Sequence, residues 1–365
     1  MPSERKPAEG GIELTERREL KKRSKPGGKS RDLSTVLFVL AALFAAAALF
    51  VPFRFGAWTE VENGWPSSPE TPASPSVRGV PDVYEAECPR PGTVVPLSYV
   101  SCRFDDPSVE AVRTAYVYLP YGYGEEETYE VLYLLHGTGS NPASWLLEHP
   151  ANKNAVDNLI DRGDVRPLLI VTPPLFPPEE FGLPEEDVGR QFSFELREKL
   201  IPAAESRFSC RTSADPEQAR SNRAIAGVSR GARAVFESGL GDGLDLFSRF
   251  GAFSGMLTDP EDLAEKIGRG EARPENRIDL LFQVNGFYDY TFYEHGFRAI
   301  LLDALSDRLQ PGENDVFLLI RNGEHTWPSW EAALYNFLLS AFPSGGGVRL
   351  PEEIISSSNF SGFLR

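Results

Sequence analysis

One stretch of the sequence limits the possible folds more than any other. A short apolar run that begins at Arg223 leads into residues 227–231, which read Gly-Val-Ser-Arg-Gly, and a helix-compatible run over 232–240 follows. That order predicts a strand, a sharp turn and a helix. Glycines suit both ends of the turn because strand and helix pass so close together that side chains would collide. The turn would hold Ser229 beyond the end of its strand, where a substrate can reach it.

Strand-like and helix-like segments alternate from residue 94 to residue 342. Apolar runs rich in β-branched and aromatic residues predict strands at 94–100, 115–119, 129–135, 168–172, 250–254, 278–284 and 316–321, besides the strand before Ser229. Helices are predicted at 155–161, 192–208, 297–309 and 330–342, besides the helix after Ser229. This alternation predicts an α/β domain with a mostly parallel sheet covered by helices on both faces. Ligands of such sheets bind beyond the carboxyl ends of the strands.

The charge of the chain is uneven along its 365 residues. The formal net charge is −16, which argues against a nucleic-acid partner. Residues 1–32 nevertheless carry ten Lys/Arg against six Asp/Glu, a net charge of +4, which leaves −20 for the remainder. We therefore expect residues 1–32 to form a basic cytoplasmic tail in front of an acidic body.

Residues 33–53 are predicted to be a transmembrane signal anchor. Positions 36–51 carry no charged or strongly polar side chain, and with their flanks they reach the ~20 residues needed to span a bilayer. Positive charge stays on the cytoplasmic side, so the folded domain of this single-pass membrane protein is expected on the extracytoplasmic side. A cleaved signal peptide, whose apolar core should be only about 7–15 residues long, and a soluble protein are the alternatives.

The rest of the chain divides into a linker, a domain and a tail. Residues 54–81 are rich in Pro, Ser and Glu and predict an extended linker. Residues 82–342 hold the alternating strands and helices of the folded domain. Residues 343–365 begin with a Gly/Ser-rich run and predict a loose tail.

The chain has three cysteines, Cys88, Cys102 and Cys210. Outside the membrane disulfides can form, and a Cys88–Cys102 bridge would close a short loop and stabilise the domain by about 3 kcal/mol. Three pairings are open, and three buried free thiols are the alternative. No spacing typical of a zinc site occurs, so no metal and no organic cofactor are predicted.

A serine hydroxyl needs a base to remove its proton and a carboxylate to orient that base. Among the four histidines, His325 follows the last predicted strand and is our candidate base. His136, which ends the third strand, is assigned a structural role beneath a turn. His149 and His295 are weaker candidates.

The carboxylate should come between the serine and the histidine in the sequence. Asp289 fits because it lies three residues after Gly286, which is expected to end a strand; Asp259 is the alternative. Two backbone N–H groups must stabilise the oxyanion, and we expect them from Arg230 and from Thr138.

These motifs resemble the putative-esterase family of α/β-hydrolases, which includes feruloyl esterases, S-formylglutathione hydrolases and the antigen 85 mycolyltransferases. The resemblance covers residues 97–342 and rests on the 227–231 motif, the turn at residues 136–137, the Gly-x-x-Asp of 286–289 and the His-x-x-x-x-Trp of 325–330. It implies an α/β-hydrolase fold with Ser229, Asp289 and His325 as nucleophile, acid and base. The family commonly has Met-Gly-Gly after the serine, whereas this chain has Arg-Gly-Ala, which changes the shape and charge of the pocket.

The sequence thus predicts an extracytoplasmic serine hydrolase that cleaves a carboxylic ester through an acyl-enzyme. Acyl transfer by the same three residues and a non-catalytic surface-binding domain on a hydrolase scaffold are the alternatives. The substrate could be a small-molecule, glycan or lipid ester, and the loop at residues 173–187 is expected to border its pocket.

Overall fold

The computed structural model describes residues 79–104, 106, 108–175, 191–255, 259–268, 276–291, 305–320 and 322–350. The predicted basic tail, the signal anchor and nearly all of the linker lie outside these residues. Among the described helices, none combines the length and the apolar character that crossing a bilayer requires.

An eight-stranded sheet forms the centre of the domain, with the strand order β1-β2-β4-β3-β5-β6-β7-β8. Strands β1 and β2 are antiparallel, β2 is antiparallel to β4, and the six strands from β3 to β8 run parallel to one another. The predicted mostly parallel sheet is therefore confirmed. The strands are β1 (Thr93–Cys102), β2 (Glu110–Leu119), β3 (Glu130–Leu135), β4 (Leu168–Thr172), β5 (Arg223–Val228), β6 (Arg249–Phe253), β7 (Leu280–Gly286) and β8 (Asp315–Ile320).

Within the described residues, helices lie in the connections between the parallel strands β3, β4, β5, β6 and β7, which follow one another in the chain. The α-helices are α1 (Asp82–Glu85), α2 (Pro150–Asp161), α3 (Ile201–Arg207), α4 (Pro216–Ser221), α5 (Arg230–Ala234), α6 (Pro260–Gly268) and α7 (Trp327–Ala341). In the part of the chain that the structure describes, π-helical segments accompany them at Ser144–Glu148, Leu196–Leu200 and Val235–Gly241. The second of these precedes Pro202, which lacks an N–H, so a wider turn lets the predicted 192–208 helix continue past the proline.

Both faces of the sheet are covered, and strand β3 shows how. All six of its residues are buried. Val131, Tyr133 and Leu135 point into one apolar core, whereas Leu132 and Leu134 point into another. A strand buried on both faces does not alternate polar and apolar residues, which explains why residues 131–135 of β3 are an unbroken apolar run in the sequence.

Two predictions about local structure need correction. The described end of the predicted 297–309 helix, residues 305–309, forms turns, and residues 297–304 lie outside the described part of the chain. The Cys88–Cys102 disulfide is absent, because all three cysteines are buried free thiols. Cys102 ends strand β1, which at about 3.3 Å per residue is ~30 Å long, whereas Cys88 precedes the opposite end of that strand by five residues. Five residues span at most about 18 Å, so the two thiols stay too far apart for a bond that needs Cα atoms within about 7 Å.

The parallel strands bring several loops to one edge of the sheet. Strands β3, β5, β6, β7 and β8 all end there, because parallel neighbours share one direction. Every residue that the sequence singled out for chemistry follows the end of one of these strands.

Candidate active site

Ser229 lies on a strained turn between strand β5 and helix α5. Its backbone has φ 55° and ψ −117°, a conformation that residues with a side chain rarely adopt. The residue is buried to 6% exposure, and its N–H donates to the carbonyl oxygen of Phe253 at 3.0 Å. The neighbouring strand β6 therefore fixes the turn that carries the serine.

The glycines around Ser229 are required by close backbone approach. A Cβ added to Gly227 would lie 2.6 Å from the carbonyl carbon of Gly231 and 2.9 Å from Cβ of Leu135. One added to Gly231 would lie 2.6 Å from the carbonyl oxygen of His136. Contacts below 3.0 Å to backbone atoms force the chain to move, so this turn tolerates no side chain at either position.

His136 holds the neighbouring turn in place. Its Nε2 accepts a hydrogen bond from the backbone N–H of Leu175 at 3.1 Å, so the ring proton resides on Nδ1, which donates to the carbonyl oxygen of Gly137 at 2.9 Å. Burial lowers the pKa of His136, which favours this neutral tautomer. A Cβ on Gly137 would lie 3.3 Å from Cβ of Ser229, so the turn that leads to Thr138 packs against the serine. The predicted structural role of His136 agrees with these contacts.

Asp289 and His325 meet at the same edge of the sheet. Nδ1 of His325 lies 3.0 Å from Oδ1 and 3.1 Å from Oδ2 of Asp289. The carboxylate is fully buried, whereas the imidazole side chain is 15% exposed. The two loops are joined through their backbones, because the N–H of Tyr288 donates to the carbonyl oxygen of Gly323 at 2.9 Å.

Gly286 gives a direct test of how these two loops fit. A Cβ at this position would collide with the carbonyl group of Gly323 in the histidine loop. We expect Gly286→Ala to separate Asp289 from His325 and to lower kcat about 10- to 100-fold, the effect of a displacement near 1 Å. Gly124→Ala, whose added Cβ would find its nearest atom at 4.0 Å, is the matched control. Equal kcat values for the two variants in an ester-hydrolysis assay would contradict the prediction.

The environment of Asp289 keeps its carboxylate ionised. Burial raises the pKa of Asp289, but hydrogen bonds from His325, Ser254 and Thr291 outweigh that effect and lower the pKa to about 2. The backbone N–H and the hydroxyl of Thr291 both donate to Oδ1, at 2.9 and 2.8 Å. Asp289 can therefore stabilise an imidazolium at neutral pH.

The Ser229 hydroxyl and the His325 imidazole are not hydrogen-bonded to each other in this structure. No hydrogen bond joins the Ser229 hydroxyl to His325 within the described residues, and Asp289 occupies Nδ1, which leaves Nε2 for a proton transfer. In enzymes without bound substrate such contacts are often long and tighten only in the complex. The structure thus brings the predicted acid, Asp289, into contact with the predicted base, His325. The predicted nucleophile, Ser229, follows β5, which is two strands away from β7, the strand before Asp289.

The other candidates have different roles. Asp259 is exposed and accepts a hydrogen bond from the N–H of Asp262, so it caps helix α6. His149 stacks on Trp327 with ring centroids 3.6 Å apart. His295 lies outside the described residues.

Part of the chain is similar to a known protein family. Residues 107–277 match the model of the family described as putative esterase. The match includes the Ser229 turn, whereas Asp289 and His325 follow it in the chain.

Two curated relatives are each similar to less than half of this chain. The chain is 35% identical over 164 residues to an endo-1,4-β-xylanase/feruloyl esterase of Xylanibacter ruminicola, which covers 43% of this chain and 22% of that protein. It is 30% identical over 158 residues to endo-1,4-β-xylanase Y of Acetivibrio thermocellus, covering 42% of this chain and 13% of that protein. The chain therefore spans less than a quarter of the length of either relative.

A solved structure shows the same fold. A mutant of the feruloyl esterase module from Clostridium thermocellum, complexed with sinapinate, is 23% identical, with a TM-score of 0.59 over 73% of this chain and 93% of that one. The domain thus has an α/β-hydrolase-like fold around its eight-stranded sheet.

Sequence reasoning missed several residues of the candidate site. Thr291 hydrogen-bonds the acid, Ser254 is among the groups that lower the pKa of Asp289, and the ring of Tyr290 lies over that of His325 with centroids 4.3 Å apart. Only Ser254 carried a signal that could have been used, because it follows strand β6 as Ser229 follows β5. The others depend on contacts between loops, which periodicity does not encode.

Arg230 follows the candidate nucleophile directly in the chain. Burial lowers the pKa of Arg230, and the positive charge of Arg233 lowers it further. The residue is partly exposed. Within the described ranges, no cluster of three His, Cys, Asp or Glu is arranged to bind a metal ion.

Proposed function

We propose that this esterase domain hydrolyses carboxylic esters through Ser229, His325 and Asp289 and an acyl-enzyme intermediate. The observation that carries the proposal is the contact of His325 with both carboxylate oxygens of Asp289, at the sheet edge where Ser229 occupies its strained turn. Such a pair supplies a base that is held in one tautomer. The family match supports the same class of reaction.

The mechanism follows from the atoms available. Ser229 Oγ attacks the ester carbonyl carbon while His325 Nε2 takes its proton, and Asp289 holds the proton of Nδ1 and stabilises the imidazolium. The backbone N–H groups of Arg230 and Thr138 receive the developing oxyanion. His325 then protonates the departing alkoxide, water attacks the acyl-enzyme by the reverse sequence, and the free acid leaves.

We further propose a ferulate-type aromatic ester as the substrate. The name of one relative includes feruloyl esterase, and the similar module was solved with sinapinate. The exposed ring of Tyr290 borders His325 and offers an apolar face to an aromatic or sugar ring. Acetylated glycans and lipid esters are the competing substrates.

A substrate panel tests this proposal. Methyl ferulate, p-nitrophenyl acetate and p-nitrophenyl butyrate are each incubated with the protein, and kcat/KM is measured. We expect the largest kcat/KM for methyl ferulate, despite its poorer leaving group, and free ferulic acid as the product. Preference for butyrate would reject the aromatic substrate, and ester exchange with an added alcohol in place of free acid would favour acyl transfer. Failure of every ester, together with failure of a fluorophosphonate probe to label Ser229, would favour the non-catalytic binding domain.

We also propose that residues 33–53 anchor the domain on the extracytoplasmic side of the cell membrane. The support is the apolar run and the basic residues before it. The full chain is expected to remain in the membrane pellet after alkaline carbonate extraction, and protease added to intact cells stripped of any outer layer is expected to digest the domain. Release of the full chain by carbonate would contradict the anchor.

A further inference from the structure

A second strained serine lies beside the nucleophile. Within the described part of the chain, Ser229 and Ser254 are the two non-glycine residues with positive φ, at 55° and 48°. They follow adjacent parallel strands, because Val228 of β5 pairs with Phe253 of β6. Ser254 is 2% exposed, and its N–H donates to the carbonyl oxygen of Val284 at 2.8 Å. Neighbouring strands therefore hold the strained backbone of both serines.

The side chain of Ser254 links two residues of the site. Its Oγ accepts a hydrogen bond from Nε1 of Trp330 at 3.1 Å. Because Nε1 of a tryptophan can only donate, the proton of the Ser254 hydroxyl stays available for an acceptor. We assign Asp289 as that acceptor, because Ser254 and Asp289 follow the paired strands β6 and β7 and hydrogen bonding by Ser254 is one of the effects that lower the pKa of Asp289.

Trp330 also contacts the base directly. Its ring meets the ring of His325 edge to face, with centroids 5.2 Å apart and planes at 85°. Trp330 begins the second turn of helix α7, two residues after Pro328 in that helix. One side chain on a rigid helix therefore touches His325 through its ring and Asp289 through Ser254.

We propose that Ser254 and Trp330 are a positioning pair that holds Asp289 and His325 in one fixed relative geometry for catalysis. The proposal rests on the function proposed above. Neither residue touches the reacting atoms; both act through the acid and the base. The positive φ of Ser254 supports this role, because glycine would adopt that backbone without strain but would lack the hydroxyl.

The first experiment removes the hydroxyl by Ser254→Gly. Glycine fits φ 48°, so this variant tests the hydroxyl without adding backbone strain. We expect kcat to fall on the order of tenfold with KM unchanged within about twofold, because a hydrogen bond to a charged group is lost while substrate contacts stay. Ser254→Ala is expected to lose kcat equally and to melt at a lower temperature. The exposed Ser206→Ala is the matched control.

The pH profile separates a positioning role from a packing role. Without the Ser254 hydroxyl, the Asp289 carboxylate has one donor fewer and stabilises the imidazolium more strongly. The acid limb of the kcat/KM profile should therefore move to higher pH in Ser254→Gly. A variant that only loosened packing would lose activity without moving this limb.

A double-mutant cycle tests the link to Trp330. Trp330→Phe keeps an aromatic ring against His325 but removes the N–H that binds Ser254. If both residues act through one hydrogen-bonded chain, Trp330→Phe should lower kcat severalfold and the double variant with Ser254→Gly should lose little beyond Ser254→Gly alone. If the factors by which the two single substitutions lower kcat multiply in the double variant, the two residues act independently and the positioning pair is rejected. It is also rejected if Ser254→Gly keeps the kcat and the pH profile of the unmodified protein.

These experiments distinguish failure of the positioning pair from failure of the proposed ester hydrolysis. Absence of ester hydrolysis by the unmodified protein would reject the function and the pair together. Hydrolysis that depends on Ser229 but is unchanged in Ser254→Gly would leave the function intact and reject only the pair.

Discussion

Replacing Ser229 with alanine is expected to lower kcat for ester hydrolysis by at least about 10⁴-fold, the scale seen when a serine nucleophile is removed. The attacking Oγ is lost, and His325 has no hydroxyl left to activate. The turn itself should persist, because alanine has the same Cβ as serine and the N–H of residue 229 still donates to the Phe253 carbonyl. The measurement is kcat on methyl ferulate, with thermal unfolding to verify that the variant is folded.

The control for Ser229→Ala is Ser206→Ala, which changes an exposed serine whose hydroxyl bonds only to the nearby carbonyl of Ala203. It should retain full activity. A fluorophosphonate probe should label the unmodified protein and Ser206→Ala once, and mass spectrometry should locate the label on Ser229. Hydrolysis at an undiminished rate by Ser229→Ala would show that the reaction uses another group.

The features that the sequence predicted are those encoded locally. Buried parallel strands such as β3 and β4 contain unbroken apolar runs, at residues 131–135 and 168–171, so both were located from residue type alone. The glycines at 227 and 231 were explained by close approach, and the structure contains that approach. The order of strands along the chain also placed residues 289 and 325 at one sheet edge, because parallel strands share their carboxyl ends.

The features that the sequence did not predict depend on contacts between distant segments. Nothing near Ser254 in the chain indicates that Trp330, 76 residues away, donates to its hydroxyl. Thr291 differs, because it lies two residues after Asp289, but loop conformation alone decides that its hydroxyl turns back to the carboxylate. The Cys88–Cys102 prediction failed for a related reason, since closeness in sequence says little once an extended strand separates two residues.

Replacing Asp289 with asparagine is expected to lower kcat about 10⁴-fold while the protein stays folded. The amide is almost the same size as the carboxylate, but it carries no charge and can turn its NH₂ toward Nδ1 of His325. That arrangement favours the imidazole tautomer with the proton on Nε2, where it cannot accept the proton of Ser229. KM for methyl ferulate should change little, because Asp289 is buried and makes no contact with solvent-filled space.

The same variant should also change how stability depends on pH. The pKa of Asp289 is lowered in the folded protein from 3.8 to about 2, so the unfolded chain binds the proton more readily. The ionised carboxylate therefore stabilises the fold at pH values above about 4, and this contribution is lost as the pH falls from there to about 2. Asparagine cannot titrate. The difference in melting temperature between the unmodified protein and Asp289→Asn should thus shrink as the pH falls from about 4 to about 2.5. A difference that stayed constant down to pH 2.5 would show that the carboxylate does not have the hydrogen-bonded, ionised state on which the proposed mechanism depends.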